Sequence, residues 1–282
     1  MFRLESVKKQ YKDFELDITM EVRPGYVTGV IGKNGAGKTT AFKAGLGLIR
    51  TDGGEVTVFG KPVSKLDEKD KEKIGVVLAD SGFCGYMNIS DWVSVLEQMY
   101  SNFQKQYFLD KCEAFDLSLK KQIREFSTGM KRKLQLIAAL SHDAKLLILD
   151  EPTAGLDVVA RDELLTLLRE YMENGDRSIL ISSHISGDLE GICDDIYMID
   201  HGKILMHEET DTLLDCYGLL KMTKEQYEKV EKEHLLRVKQ EEYGYSALTD
   251  KKQFYMENYP DIIIEKGNID EVIMMVSRGE KQ

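Results

Sequence analysis

The chain has 282 residues, of which 42% are hydrophobic and 31% are charged, and its formal net charge is −11. This length and composition indicate a globular protein with either two domains or one large α/β domain and an appendage. The negative charge argues against a nucleic-acid-binding protein, because contacts with phosphates require a basic face. No apolar run approaches the roughly 18 residues that cross a bilayer, so we expect any membrane span to belong to another chain.

The cysteines and the N-terminal residues are typical of an intracellular protein. The cysteines are widely spaced and form no CxxC pair, which favours reduced thiols over disulfides or a zinc site. They are Cys84, Cys112, Cys193 and Cys216. Residues 1–6 contain an acid and lack an apolar stretch, so we expect no secretory signal peptide and a cytoplasmic location.

The first third of the sequence predicts strands and a helix around a glycine-rich loop. Residues 15–22 alternate strictly between polar and apolar side chains, which predicts a half-buried antiparallel strand. Residues 27–31 form an apolar run that predicts a buried strand, and residues 38–48 predict a helix. A further strand is predicted over residues 55–59. The glycine-rich loop is therefore expected between a strand and a helix.

The middle of the chain predicts a small helical subdomain followed by more α/β structure. Strand patterns disappear over about residues 82–125. Residues 134–140 predict a helix, 146–149 a buried strand, 162–174 a helix, and 178–182 a buried strand. This alternation predicts an α/β fold with a mostly parallel sheet that is covered on both faces.

The composition changes after residue 206. The remainder is rich in Glu, Lys and Tyr and has weaker helix and strand patterns. Thr223 and Gln226 predict a helix capping box, residues 262–264 a short strand, and residues 270–276 a last helix. We therefore predict a main domain over residues 1–206 and a C-terminal α/β appendage over residues 207–282.

The glycine-rich loop over residues 32–39 matches the phosphate-loop pattern GxxxxGK[ST] in full. Its glycines allow successive backbone N–H groups to face phosphate oxygens, and the helix N-terminus that follows favours anions. We expect Lys38 to contact the β and γ phosphates of a nucleotide, Thr39 to bind Mg²⁺, and Thr40 to contact the α phosphate. A glycine turn that contains Gly-Lys by chance is the alternative. The predicted nucleotide-binding residues of the loop are Gly32, Asn34, Gly35, Ala36, Gly37, Lys38, Thr39 and Thr40.

Two carboxylates follow the apolar strand predicted over residues 146–149. We expect Asp150 to hold Mg²⁺ through water and Glu151 to polarise the attacking water as a general base. A core strand that meets an acidic helix cap would be the commoner explanation of this pattern taken alone. The phosphate loop elsewhere in the chain favours the catalytic interpretation.

With these motifs in place, residues 2–206 resemble the ATP-binding subunits of ABC transporters. Residues 126–130, Phe-Ser-Thr-Gly-Met, are similar to the LSGGQ signature of that family. The resemblance implies a P-loop ATPase core with a mixed sheet that includes an antiparallel β subdomain. It also implies that Ser127 and the backbone of Gly129 contact the γ phosphate held by a second ATPase subunit, so that ATP binding closes a dimer.

The resemblance implies roles for three further segments. His184, after the strand over residues 178–182, matches the switch histidine that hydrogen-bonds to the γ phosphate. Residues 152–157 are similar to the D-loop, which crosses the interface between the two subunits. Tyr11 resembles the aromatic residue that stacks on adenine, with plain packing as the alternative.

One position departs from the family pattern. The family places Gln after an Ile-Gly strand, where it binds Mg²⁺ and communicates with the membrane partner. In this chain Ala79 occupies the Gln position and Asp80 follows it. Either the coupling loop is altered or the register is off by one residue, and Asp80, one residue later, joins Thr39 and Asp150 as a candidate Mg²⁺ ligand.

Three classes of protein share such an ATPase core: transporter subunits, chromosome and repair ATPases, and translation factors. The repair class inserts a long coiled coil between phosphate loop and signature, the translation factors carry two cassettes per chain, and both favour basic surfaces. We therefore predict an ATPase that uses ATP and Mg²⁺ and powers an integral-membrane permease from the inner face of the membrane. A homodimer or a heterodimer with a paralogue is expected, without nucleic acid.

The direction of transport and the permease contacts are predicted from the resemblance alone. The signature and the Tyr-rich tail resemble those of bacterial exporters with separate permeases, which favours export. Trp92, Val93 and either Val95 or Leu96 are candidate contacts with the permease, with helix core as the alternative role. A non-transport ATPase that acts on the ribosome or on DNA is the alternative function.

Overall fold

The computed structural model describes residues 1–79, 82–266, 268–278 and 280–281. Among these residues no helix is both long and apolar enough to cross a membrane. The strands are β1 (Phe2–Gln10), β2 (Glu15–Val22), β3 (Val27–Ile31), β4 (Gly53–Val58), β5 (Lys61–Pro62), β6 (Ile74–Val77), β7 (Leu146–Asp150), β8 (Ser178–Ser183), β9 (Asp195–Asp200), β10 (Lys203–Glu209), β11 (Gly218–Met222), β12 (Leu235–Glu241), β13 (Gly244–Thr249), β14 (Ile263–Lys266) and β15 (Glu280–Lys281). The helices are α1 (Lys38–Gly45), α2 (Glu68–Lys71), α3 (Ile89–Met99), α4 (Lys105–Ala114), α5 (Thr128–Leu140), α6 (Val158–Met172), α7 (Ser186–Glu190), α8 (Thr210–Asp215), α9 (Lys224–Lys229), α10 (Lys252–Asn258) and α11 (Ile269–Arg278).

The main sheet is mixed, as predicted. Its strand order in the described residues is β5-β4-β1-β2-β10-β9-β3-β8-β7-β6. The strands from β9 through β3, β8 and β7 to β6 are parallel, whereas β1, β2, β4 and β5 form the antiparallel part. The predicted antiparallel strand over residues 15–22 is β2. The α/β fold class is therefore confirmed.

Both faces of the parallel strands are buried. Along β7, Leu147 and Leu149 belong to one apolar cluster, and Leu146 and Ile148 belong to another on the opposite face. Successive side chains of a strand point to opposite faces, so a strand covered on both sides requires a continuous apolar run. This explains why β3, β7 and β8 could be predicted from their continuous apolar runs.

The carboxyl ends of three neighbouring strands meet at one edge of this sheet. β3 pairs in parallel with β8, with Ile31 opposite Ser183, and β8 pairs in parallel with β7, with Ser182 opposite Asp150. The glycine-rich loop leaves β3 and enters α1. The loop and both strand ends are therefore placed beside one another by the sheet itself.

The helix after the glycine-rich loop is shorter than predicted. α1 ends at Gly45 rather than at residue 48. Gly47 has φ +68, and the N–H of Leu48 donates to the carbonyl of Lys43 at 2.9 Å. A left-handed glycine with such a hydrogen bond is a common helix terminator, and it stops α1 here.

The region predicted as a helical subdomain, about residues 82–125, contains α3 and α4. α3 and α4 pack on the middle of α5 around a common apolar core, which includes Ile89, Val93, Leu96, Phe108, Leu134 and Ile137. α5 begins at Thr128, before the predicted residue 134, because Ser127 caps its first turn. The polar first turns of α5 concealed this start.

The C-terminal part forms a second sheet with strand order β14-β11-β13-β12-β15. The predicted capping box of Thr223 and Gln226 is present at the start of α9. The short strand and last helix predicted near the C-terminus are β14 and α11. Leu219, Leu248, Ile269 and Val272 join the apolar cluster of the main domain, so the appendage packs against that domain.

The expected boundary after residue 206 falls inside β10. β10 pairs antiparallel with β9 from Lys203 to Glu209, opposite Asp195. Cutting the strand at 206 would leave part of this ladder unpaired, so the boundary is better placed after Glu209. Neither β9 nor β10 was predicted, because polar residues flank the apolar run of β9 and no side chain of β10 is fully buried.

Candidate active site

A buried carboxylate joins the phosphate loop to the strand ends. Asp150, the last residue of β7, is completely buried. Its Oδ2 accepts a hydrogen bond from Thr39 Oγ1 at 2.6 Å, and its Oδ1 accepts one from Ser182 Oγ at 2.7 Å. These three side chains come from α1, β7 and β8, and their hydrogen bonds provide the partners that a buried carboxylate requires. The contribution of Ser182 was not predicted.

The ammonium group of Lys38 lies inside the curl of the loop. Lys38 is buried, and its Nζ donates to the carbonyl oxygens of Gly32 at 2.6 Å and Lys33 at 3.3 Å. The same Nζ lies 3.0 Å from Glu151 Oε1 and forms an ion pair with it. Lys38 and Glu151, predicted to act on the phosphate and on the attacking water, are therefore in direct contact.

Two glycines allow the loop to take its shape. A Cβ on Gly32 would lie 2.3 Å from the carbonyl oxygen of Ile199, so a larger residue would displace the loop from the sheet. Gly37 has φ +114 and precedes α1 without a side-chain cap. The first N–H groups of a helix have no partner within the helix, so those of α1 remain available to an anion.

Glu151 takes an unusual backbone conformation at the end of β7. Its φ is +51, a left-handed value that is rare for a residue with a side chain. Its N–H donates to Ser182 Oγ at 3.0 Å, and its Oε2 lies 2.6 Å from Nδ1 of His184. The two carboxylate oxygens of Glu151 thus contact the predicted phosphate-binding lysine and the predicted switch histidine.

A cavity of about 400 Å³ opens over the loop. Its lining includes Lys33, Asn34, Gly35, Gly37, Lys38, Thr39, Thr40 and Glu151, with Phe14 and Ala79. Phe14, which was not predicted, thus lies where Tyr11 was expected. Tyr11 is 44% exposed, is not among the lining residues, and has its ring centroid 6.3 Å from that of Phe14.

The position expected to hold Gln is contacted by an arginine. Ala79 borders the cavity, and its carbonyl accepts from Arg132 Nη2 at 3.4 Å. The carbonyl of Leu78 accepts from Arg132 Nη1 at 3.3 Å. α5, which begins at the signature, is therefore linked directly to the chain that follows β6. The candidate ligand Asp80 lies outside the described residues.

The signature residues do not face this cavity. Ser127 is exposed, and its Oγ accepts from the N–H of Met130 at 3.2 Å as the cap of α5. Gly129 packs closely on Leu156, since a Cβ there would lie 3.2 Å from Leu156 Cδ2. Neither Ser127 nor Gly129 lines the cavity, although each offers polar groups at a helix start.

The oxygens around Thr39 and Asp150 fit a magnesium ion. Mg²⁺ prefers hard oxygen ligands and keeps several waters, so one hydroxyl and one carboxylate beside a phosphate site are a suitable protein contribution. Thr39 Oγ1 and Asp150 Oδ2 are 2.6 Å apart at the floor of the site. These two residues are the ones that would hold the ion.

Known proteins are similar to this chain over most of its length. Residues 16–154 match the family model described as ABC transporter. The chain is 33% identical over 195 residues to an uncharacterized ABC transporter ATP-binding protein of Synechocystis, covering 67% of this chain and 54% of that relative. It is 32% identical over 213 residues to the linearmycin resistance ATP-binding protein LnrL of Bacillus subtilis, covering 73% of this chain and 68% of that relative. The chain thus spans about half to two thirds of the length of these relatives.

A solved structure has the same fold. It is described as the dimeric structure of a post-hydrolysis state of an ATP-binding cassette bound to ADP and Pi. The TM-score is 0.66 at 19% sequence identity, and the match covers 74% of this chain and 99% of that one. At this identity the likeness establishes the common fold.

Proposed function

The chain belongs to the family of ABC transporter ATP-binding proteins, and we propose that it hydrolyses ATP to power a separate membrane permease. The observation that carries the proposal is the meeting of Lys38, Asp150, Glu151 and His184 at the carboxyl ends of neighbouring strands. These side chains provide a phosphate contact, a metal contact, a base and a histidine, which are the groups that phosphoryl transfer to water requires.

Glu151 is the proposed general base. In this structure its carboxylate is shared between Lys38 and His184. An incoming γ phosphate competes for Lys38, because that ammonium lies in the loop that cradles phosphates. When the Lys38 ammonium moves to the phosphate, Oε1 of Glu151 is free to accept a proton from water. The contact between His184 and Oε2 keeps the carboxylate oriented.

Thr39 and Asp150 are the proposed protein ligands of Mg²⁺, and Ser182 holds Asp150 in place. When bound, Mg²⁺ neutralises charge on the β and γ phosphates. The Thr39 hydroxyl donates to Asp150 in this structure, so the two oxygens already lie next to each other. The backbone of the loop and Thr40 are proposed to hold the remaining phosphate oxygens.

We propose that the working unit is a dimer of ATPase subunits. Ser127 and Gly129 sit at a helix start that does not line the cavity of their own chain. A second copy or a paralogue that contributes its signature would complete each site. The dimeric state described for the solved cassette supports this arrangement.

The permease is proposed to dock beside the edge strand β6. A groove of about 320 Å³ there is lined by Val76, Trp92, Leu96 and Met99, among others. A neighbouring cavity of about 760 Å³ shares Val76 and is lined by Leu48. Of the candidate contacts from the sequence, Trp92 and Leu96 line the groove and Val93 does not, and both Val93 and Leu96 belong to the buried core of the helices. Docking there would place the chain at the inner face of the membrane.

Export is the proposed direction of transport. The linearmycin resistance relative is named for resistance, which is consistent with removal of a compound from the cell. The cargo would contact the permease rather than this subunit.

The test of the ATPase mechanism is Glu151→Gln. The amide keeps the shape of the side chain but is a poor base, so we expect ATP hydrolysis to fall by about 10²–10⁴-fold while ATP binding is retained. Hydrolysis is measured as phosphate release by the purified protein, and dimerisation as an ATP-dependent increase in mass by size-exclusion chromatography with light scattering. Glu173→Gln removes the same charge from the exposed end of α6 and serves as the control. Hydrolysis by Glu151→Gln at the wild-type rate would exclude Glu151 as the base.

A further inference from the structure

A second buried carboxylate lies behind the active site. Asp188, on α7, is 2% exposed and contacts neither the cavity nor the phosphate loop. Its Oδ2 accepts from Thr153 Oγ1 at 2.6 Å and from Ser183 Oγ at 3.3 Å. Its Oδ1 lies 3.4 Å from Nε of Arg161. None of these residues has a role in the proposed ATPase mechanism.

Two partners of Asp188 belong to the segments that carry the proposed base and histidine. Thr153 follows Glu151 by two residues, and Ser183 directly precedes His184. Arg161 belongs to α6, the helix that follows the D-loop-like segment. One side chain therefore contacts the segment after β7, the end of β8 and the start of α6.

The cluster is suited to fix these segments in one arrangement. A buried carboxylate is costly unless its oxygens are hydrogen-bonded, so separating the segments would leave a buried charge without its donors. Hydrogen bonds to an ionised oxygen are also stronger than those between neutral groups. Ser183 Oγ accepts in turn from the N–H of Ile185 at 3.0 Å, which extends the constraint to the backbone on the far side of His184.

The backbone conformation of Glu151 is one feature that these hydrogen bonds can hold in place. Its left-handed φ of +51 is unfavourable and persists only where the surrounding structure enforces it. The bond from its N–H to Ser182 acts on one side of the residue. The bond between Thr153 and Asp188 acts on the other side, within the same turn.

We infer that Asp188 is a positioning residue for ATP hydrolysis, which couples the segment carrying Glu151 to the strand end carrying His184. The inference rests on the proposed function. Asp188 acts through Thr153 and Ser183, so the base and the histidine keep their 2.6 Å contact and move as one unit when the D-loop-like segment moves. ATP itself is held by the phosphate loop, which Asp188 does not touch.

If Asp188 has this role, its loss should lower kcat and leave the KM for ATP nearly unchanged. Misplacement of a base by about 1 Å can slow a reaction by up to roughly a hundredfold, whereas the phosphate loop, which Asp188 does not touch, still binds ATP. A residue that merely stabilised the core would lower the amount or the Tm of folded protein and leave the kcat of the folded fraction unchanged.

The experiment compares Thr153→Val, Thr153→Ser, Asp188→Asn and the double variant Thr153→Val with Asp188→Asn. Thr153→Val keeps the shape of the side chain and removes the hydroxyl donor, whereas Thr153→Ser retains it. We expect Thr153→Val and Asp188→Asn each to lower kcat roughly tenfold or more with KM for ATP within about twofold of wild type. Thr153→Ser should stay near wild type, and the double variant should be no slower than the slower single variant, since both act on one unit.

The control is Asp70→Asn, which alters another buried carboxylate, one that lies at the start of α2 and is bonded to Lys61. It is expected to lower Tm without lowering kcat. Wild-type kcat in Thr153→Val and Asp188→Asn, while Glu151→Gln fails to hydrolyse ATP, would overturn the positioning role alone. The positioning role would also be overturned if Thr153→Ser were as slow as Thr153→Val, or if KM rose in proportion to the fall in kcat. Normal hydrolysis by Glu151→Gln would exclude Glu151 as the base and overturn this inference with it, whereas an absence of ATP hydrolysis by the wild type would overturn the proposed function.

Discussion

At the scale of single residues, the active site contains two backbone positions with opposite requirements. Gly32 has no side chain because the carbonyl of Ile199 occupies the space where a Cβ would lie. Glu151 has a side chain that its backbone conformation disfavours, at a cost of about 1–3 kcal/mol. The hydrogen bond that the Glu151 N–H donates to Ser182 of the neighbouring strand helps to offset that cost. The proposed role of general base requires a carboxylate here, and glycine, which would suit the backbone, could not supply one.

The rim of the cavity gives a prediction about the adenine contact. Phe14 lines the cavity over the phosphate loop, whereas Tyr11 does not. An aromatic contact contributes about 0.5–1.5 kcal/mol beyond its buried area, so Phe14→Ala should weaken ATP binding by about two- to tenfold. Tyr11→Ala is the matched control and should change the Kd less. Titration with a fluorescent ATP analogue checks both, and a larger effect of Tyr11→Ala would restore Tyr11 as the adenine contact.

At the scale of elements, several strands could be recognised in the sequence according to how far the rest of the protein buries their two faces. β3, β7 and β8 are buried on both faces and appeared as apolar runs, and β2 appeared through strict alternation. β10 is half exposed along its length and gave no clear pattern. The phosphate loop and the acidic strand end could be located from motifs. Phe14 and Asp188 could not, because their roles depend on contacts between segments distant in the sequence.

The junction between the helical subdomain and the main sheet contains a histidine that should make stability depend on pH. Tyr100, at the end of α3, stacks on His142 with ring centroids 4.0 Å apart, and Nδ1 of His142 lies 2.9 Å from the carbonyl of Glu72. Burial lowers the pKa of the His142 imidazole, against the smaller opposing effects of the Glu72 and Asp143 charges. The folded state therefore binds fewer protons than the unfolded state just below the ordinary imidazole pKa of about 6.5.

The free energy of unfolding should consequently fall as the pH is lowered through about 6.5, by up to about 1.4 kcal/mol per pH unit from this group. His142→Asn retains a donor near the Nδ1 position but cannot take up the proton, so its stability should depend less on pH over this range. Urea unfolding at pH 7.5, 6.5 and 5.5 measures the difference. His201→Asn is the control, because the His201 side chain is 95% exposed. Equal pH dependence in wild type and His142→Asn would contradict the prediction.

At the scale of the whole molecule, the two proposed interfaces lie on different elements of one domain. The signature at the start of α5 is the proposed contact with the second subunit, and the groove along β6 is the proposed contact with the permease. Arg132 of α5 contacts the carbonyls that follow β6, so a physical link runs between the two surfaces. In a chain with Ala79 at the Gln position, we propose that this link is the route by which nucleotide occupancy affects the permease.

The groove along β6 yields the last prediction. Met99 is 57% exposed and Leu48 61% exposed, on the two sides of Val76, so a docked permease segment would bury both apolar side chains. Full burial of such a side chain contributes roughly 1.5–3 kcal/mol, and a charge there would also have to be desolvated. The double variant Met99→Glu with Leu48→Glu should therefore lose more than about tenfold of its permease binding. Ile263→Glu introduces the same charge at a 67% exposed apolar residue of the C-terminal sheet and is the matched control.

Detergent-solubilised membranes from cells that express each tagged variant would be analysed for co-purified integral-membrane proteins by quantitative mass spectrometry. Loss of a multi-span membrane protein from the double variant, with its retention by Ile263→Glu and the wild type, is the expected result. Loss with Ile263→Glu alone would move the docking site to the appendage, and a ribosome or DNA complex in place of a membrane protein would contradict the transport function itself.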